Sequence, residues 1–139
     1  MLRTEDDYRR YVAAFNARDY ATLETFFADD FALENAGFIV RGKPAFREFY
    51  AFFHSYCKET VTLKRFFEGE GAVAANVVIR FEGIRDMSPA VLAERGYPGM
   101  TPVPQGAVVD VEFIIIYELR PDGLVQHIKG AVFIPASQG

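Results

Sequence analysis

A single cysteine (Cys57), no tryptophan and only two histidines (His54 and His127) leave several classes of protein without their raw material. One thiol forbids an internal disulfide and suits a reducing compartment. The two histidines are distant in sequence and no Cys/His/carboxylate cluster occurs, so no metal is expected. No Gly-rich phosphate loop follows a strand, which argues against a nucleotide cofactor, and no Gly-x-Ser-x-Gly elbow is present. The longest apolar runs, such as Phe113–Tyr117, are far too short to span a bilayer. No hydrophobic segment follows Met1–Asp7, so no secretory leader is expected and the cytoplasm is the default. The net charge is −4 with scattered basic residues, which gives a phosphate backbone nothing to dock on and excludes nucleic acid as an expected partner.

What the chain does have is aromatic surface. At 139 residues it is one domain, yet it carries 14 Phe and 7 Tyr. That surplus suits an apolar ligand cavity, and equally a Phe-rich core or an oligomer interface. Thr4 is placed to cap a first helix, with Glu5, Asp6 and Asp7 in the first turn where the helix dipole favours acids. Tyr8, Tyr11, Val12 and Phe15 then fall on one stripe. Asn16-Ala17-Arg18-Asp19 ends it, and Asp19 caps a short second helix with Leu23, Phe26 and Phe27 inside. A strand pair over Phe31–Asn35 and Phe38–Arg41 is expected to turn at Ala36-Gly37. Gly42-Lys43-Pro44 opens a third helix, proline in its favoured first position, with Phe46, Phe49, Tyr50 and Phe53 as its stripe.

From Thr60 the period becomes alternating. Strands are expected over Thr60–Glu68, Ala72–Arg85, Ala107–Arg120 and Leu124–Ile134, joined in part by hairpins at Glu68–Gly71 and Pro121–Gly123. Between them, Asp86–Gly106 is a long connection with a short helix opened by Ser88-Pro89 and closed by Gly96. Such a connection serves as a lid or covers a sheet edge. The fold class is therefore α+β, a bent antiparallel sheet wrapped around three N-terminal helices. Its Ile-, Val- and Phe-rich outer surface points to a homodimer or homotrimer.

The wording Arg10–Asp30 (RYVAAFNARDYATLETFFADD) followed by GKPAFREFY from Gly42 resembles the nuclear transport factor 2-like superfamily, in its ketosteroid isomerase and SnoaL-like branches. The resemblance is specific over residues 8–56 and rests on strand pattern alone beyond about residue 72. It implies a cone around one apolar pocket with acid–base chemistry inside and no cofactor. By resemblance Tyr11 donates a hydrogen bond to a developing oxyanion and Tyr50 supports it, a device that gains rate from charge appearing only in the transition state. The isomerase's general base corresponds to Asn35, and its second carboxyl falls in Phe113-Ile114-Ile115-Ile116-Tyr117. Both carboxyls are missing, and an amide takes no proton at neutral pH.

Another group must then move the proton. His127 and Lys129 share one face of the last strand with Ala131 and Phe133. By the family's strand order that face lines the cone, where the pair would act as acid–base group and anion anchor. The opposite reading sets them on a solvated exterior. Candidate substrate contacts are Asn35, Arg41, His54 one turn after Tyr50, Arg80, Phe27, Phe49 and Tyr117. Arg80 with Asp110 or Glu112 also loosely imitates the carboxylate–arginine–carboxylate set of limonene-type epoxide hydrolases. The expected function is a cofactor-independent lyase or dehydratase acting on a small apolar, hydroxylated aromatic or polycyclic compound. An isomerase or cyclase, or a non-catalytic ligand-binding or assembly module, is the alternative.

Overall fold

A computed structural model describes residues 1–35 and 37–136. Ala36, half of the expected first turn, lies outside the described residues. Helix α1 (Glu5–Asn16) opens on a capping box: Thr4 Oγ1 accepts from the Asp7 N–H, and the Asp7 carboxylate accepts from the Thr4 N–H. Asp19 caps α2 (Tyr20–Glu24) through the Thr22 N–H. Strands β1 (Phe27–Asn35) and β2 (Phe38–Arg41) follow, then α3 (Lys43–Tyr56) with Pro44 in its first turn. Next come β3 (Cys57–Glu68), β4 (Ala72–Gly83), the short α4 (Pro89–Arg95), β5 (Val108–Leu119) and β6 (Val125–Phe133). Ser88 caps α4, and Gly96 closes it with a left-handed φ of 91°.

The six strands form one sheet in the order β2-β1-β6-β5-β4-β3, every pair antiparallel except β1 with β6. That parallel pair arises because β1 sits between helices in sequence yet lies beside the last strand. Register shifts between Leu63 and Arg65, Glu118 and Leu119, and Phe27 and Ala32 interrupt the ladders, and irregularities of this kind bend a sheet. The bent sheet holds the helices on its concave side. Its core is largely aromatic: Phe27 and Phe31 stack at 4.2 Å between ring centres, and Phe46 meets them at 5.1 and 5.6 Å. The convex face keeps apolar side chains in solvent, among them Ile114, Ile116 and Phe133. Among the described residues no helix is long and apolar enough to cross a membrane.

β1 begins at Phe27 rather than Phe31, and β3 at Cys57 rather than Thr60. The second difference matters, because it brings Glu59 into a strand whose inward residues are Cys57, Glu59 and Val61.

Candidate active site

Between the helices and the concave sheet lies a cavity of about 410 Å³. Its walls are Tyr8, Tyr11, Val12 and Phe15 from α1, Phe49, Tyr50 and Phe53 from α3, and inward residues of the strands such as Leu33, Phe113 and Ile128. Met100–Pro104 close one side, so part of the long connection forms the wall. Val109, Val132 and Thr101 line the cavity yet stay exposed, which marks its mouth. The volume falls in the range of about 300–1,000 Å³ usual for small-molecule sites. Polar groups are few: the tyrosines, Glu34, Asn35, Glu59 and Thr101. Among the described residues no Lys, Arg or His lines it.

The tyrosines are organised by the helix stripes. Tyr8 and Tyr117 share a hydrogen bond of 2.8 Å between hydroxyls, with both residues buried. Tyr11 reaches toward the same Tyr117 hydroxyl, making a run of three phenols. Tyr50 is wedged between Phe46 and Phe49, each 4.8 Å away between ring centres, and its hydroxyl has no protein hydrogen-bond partner among the described residues. Burial pushes Tyr50 and Tyr11 far above the ordinary phenol range, reinforced by the negative charge of Glu59 in both cases and by Tyr8 beside Tyr11. Both therefore remain proton donors at any working pH, as an oxyanion acceptor requires.

Glu59 is the residue that the strand boundary concealed. It is 5% exposed and lines the cavity. Its Oε1 lies 3.0 Å from His54 Nε2, and His54 Nδ1 lies 2.6 Å from the Tyr20 hydroxyl. A carboxylate only accepts, so beside one Nε2 carries the hydrogen, and in the neutral imidazole Nδ1 then accepts from Tyr20. The backbone around Glu59 is pinned as well. Arg18 donates to the Glu59 carbonyl at 3.1 Å, and the Asn16 side chain exchanges two hydrogen bonds with the Val61 backbone at 2.8 and 3.0 Å. Thus the Asn-Ala-Arg-Asp break after α1 doubles as an anchor for β3. Arg18 holds that position with φ at 60°, a left-handed conformation that costs an L-residue about 1–2 kcal/mol.

The other expected site residues separate into three groups. Asn35 and Phe49 line the cavity with Tyr11 and Tyr50; the Asn35 side chain lies over Gly130, where an added Cβ would meet it at 3.2 Å. Phe27 and Tyr117 are core residues behind the wall, and the His54 side chain, 5% exposed, lies behind Glu59. Arg41 and Arg80 are exposed and off the cavity, Arg80 bonded to Asp110 at 2.8 Å.

His127 and Lys129 require a correction. The face of β6 that lines the cavity carries Ile128, Gly130 and Val132, so this pair lies on the convex side. There His127 Nε2 meets Glu34 at 2.9 Å and Lys129 Nζ meets Glu118 at 2.9 Å. The Lys129 hydrogen bond holds the Glu118 carboxyl below its ordinary range, helped by the charges of Lys129 and His127. Such a partly solvated network contributes about 0–1 kcal/mol per pair. His127→Ala is accordingly expected to leave ring-compound binding unchanged and to lower the melting temperature by no more than a few degrees. A calorimetric titration beside a thermal melt checks this, and lost binding would return His127 to the site.

Helices clasped by a bent, unclosed sheet around one apolar pocket define the nuclear transport factor 2-like class of α+β cones. Within that class the chain belongs to the SnoaL-like domain family, whose profile matches residues 8–128. A Silicibacter protein provisionally assigned as a polyketide cyclase superposes with a TM-score of 0.73 at 23% identity, over 93% of this chain and 88% of that one. A Xanthomonas campestris protein with the same provisional assignment gives 0.69 at 20%, over 88% and 84%. A Mycobacterium tuberculosis protein in complex with estradiol-17β-hemisuccinate gives 0.65 at 19%, over 88% of each chain. At these identities the likeness establishes the fold alone. No curated protein matches this chain.

Proposed function

We propose that this protein is a cofactor-independent enzyme for an uncharged, oxygen-bearing ring compound, and that its reaction is a lyase or dehydratase step. The observation that carries the reading is the open apolar cavity lined by Tyr11 and by Tyr50, whose hydroxyl has no hydrogen-bond partner among the described residues. Two phenols that stay protonated stabilise an enolate or phenolate oxygen as it forms. With no cationic lining residue among the described residues and Glu59 in the wall, the cavity selects for neutral ligands over carboxylates. By resemblance Asn35 matches the isomerase base, yet an amide cannot remove a proton; it suits a hydroxyl that is being held or expelled. This favours elimination over simple double-bond migration.

A cyclase reading draws on the assignments of the structural neighbours. Ligand binding without turnover draws on the steroid-conjugate complex of the M. tuberculosis protein. All three readings share one binding test. Titration with 2-naphthol is expected to saturate, whereas 2-naphthoate binds weakly or not at all. Tyr11→Phe and Tyr50→Phe are each expected to weaken 2-naphthol by about three- to tenfold, the worth of a neutral hydrogen bond. If no neutral ring compound binds, or neither substitution matters, the reading fails.

A further inference from the structure

We propose that Glu59 is the proton-accepting group of the cavity and that His54 and Tyr20 position it. This rests on the proposed function and supplies the group which that reading lacks: with Asn35 an amide and His127 on the outer face, no other assigned residue can take a proton from a ligand. Glu34 also borders the cavity, but its carboxylate is committed to His127 on the convex side.

Three features separate Glu59 from a carboxylate that merely happens to be buried. First, burying an acid is costly unless it is partnered, and here the partner takes only one oxygen. His54 Nε2 bonds Oε1, whereas Oε2 has no protein partner among the described residues. Among the described residues every fully sealed side-chain polar atom has a partner, so Oε2 keeps some accessible surface, and Glu59 is a wall residue of the cavity. Second, His54 is itself fixed. Tyr20 takes its far nitrogen at 2.6 Å, and Phe15 and Tyr50 pack against its ring at 5.5 and 4.8 Å between centres. Third, the Arg18 and Asn16 bonds clamp the β3 backbone at Glu59 and Val61. A base held this way stays within reach of a ligand whose oxygen rests on Tyr50 and Tyr11, because Tyr50 also packs against His54. The Tyr20–His54–Glu59 line runs from the half-exposed Tyr20 to the cavity wall.

The test uses 5-nitrobenzisoxazole, a neutral ring compound whose opening reports any well-placed carboxylate. The base takes the ring C–H proton, its electron pair completes a nitrile, the N–O bond breaks, and the oxygen departs as a coloured phenolate. Glu59 then releases the proton to water. The wild-type protein is expected to open the ring with saturation kinetics, and Glu59→Gln to lose about a hundredfold or more in kcat. That amide still accepts from His54, so the fold and the 2-naphthol affinity are expected to persist. Glu59→Asp, which withdraws the carboxylate by one methylene, is expected to fall between the two. His54→Ala is expected to lower kcat about tenfold with KM unchanged, and His54→Gln, which keeps an N–H donor, to recover part of it. Turnover by Glu59→Gln at the wild-type rate, or no turnover by a wild-type protein that binds the probe, overturns the proposal alone. Absence of all ring-compound binding in the wild type overturns the proposed function and this assignment with it.

Discussion

Phe46→Ala is expected to cost about 3–5 kcal/mol of stability, the range for emptying an aromatic core position. Phe46 is 1% exposed and stands between the Phe27–Phe31 stack and Tyr50, with ring centres 5.1, 5.6 and 4.8 Å away. Its neighbours are ring systems held by other rings, so they collapse poorly into the gap. A small domain has only about 5–15 kcal/mol in total, so urea unfolding followed by circular dichroism should show a much lower midpoint with little change in slope. Phe46 does not line the cavity, and its loss therefore reaches the site only by loosening Tyr50. A cost below about 1 kcal/mol would mean that the aromatic cluster repacks freely, and the rigid Tyr50 on which the functional reading relies would be lost with it.

The same residues show how much of the molecule was legible in its sequence. Thr4, Asp19, Pro44 and Ser88 announced the four helices because capping is local chemistry, decided within three or four residues. Tyr11 and Tyr50 were found because a helix stripe has one buried side, and both lie on it. β6 was read on the wrong face for a physical reason. Ala131 and Phe133 on one side and Gly130 and Val132 on the other are equally small or apolar, since the convex surface keeps Ile114, Ile116 and Phe133 in solvent. The cavity face is apolar through Ile128 and Val132, whereas the other mixes His127 and Lys129 with Ala131 and Phe133, so setting that pair inside by the family's strand order overrode the alternation.

Glu59 escaped for a related reason. An acid followed by a strand reads as a solvated boundary, and β3 was taken to start one residue later. The signal was nevertheless present, since Cys57, Glu59 and Val61 alternate with Lys58 and Thr60. What no local pattern could supply was the partner. His54 lies in the last turn of the preceding helix and Tyr20 begins a distant one, and only the tertiary fold sets Tyr20 beside His54 and His54 beside Glu59.

The wall formed by the long connection leads to the second large effect, on the cavity mouth. Gly83 ends β4 with its backbone hard against that connection: an added Cβ would lie 2.0 Å from the Pro104 carbonyl oxygen and 2.9 Å from its carbon. Both are backbone atoms, so no side chain can swing aside. Gly83→Ala must move the 103–107 segment, which is tied there by Gly83 N–H to the Ala107 carbonyl at 2.9 Å and Gly106 N–H to the Gly83 carbonyl at 2.8 Å. The expected cost is about 1–3 kcal/mol, as for overpacking a tight contact. Since Val103, Pro104 and Ala107 line the cavity, the displaced segment should also weaken 2-naphthol about tenfold or more, while the Tyr8–Tyr117 core stays intact. A melting curve and a titration on the same sample separate the two effects. Wild-type affinity in a destabilised Gly83→Ala protein would show that the segment merely covers a sheet end. Lost affinity at modest cost in stability would make Met100–Pro104 part of the binding site, and would explain why the chain holds so long a connection against a strand end that lacks a side chain.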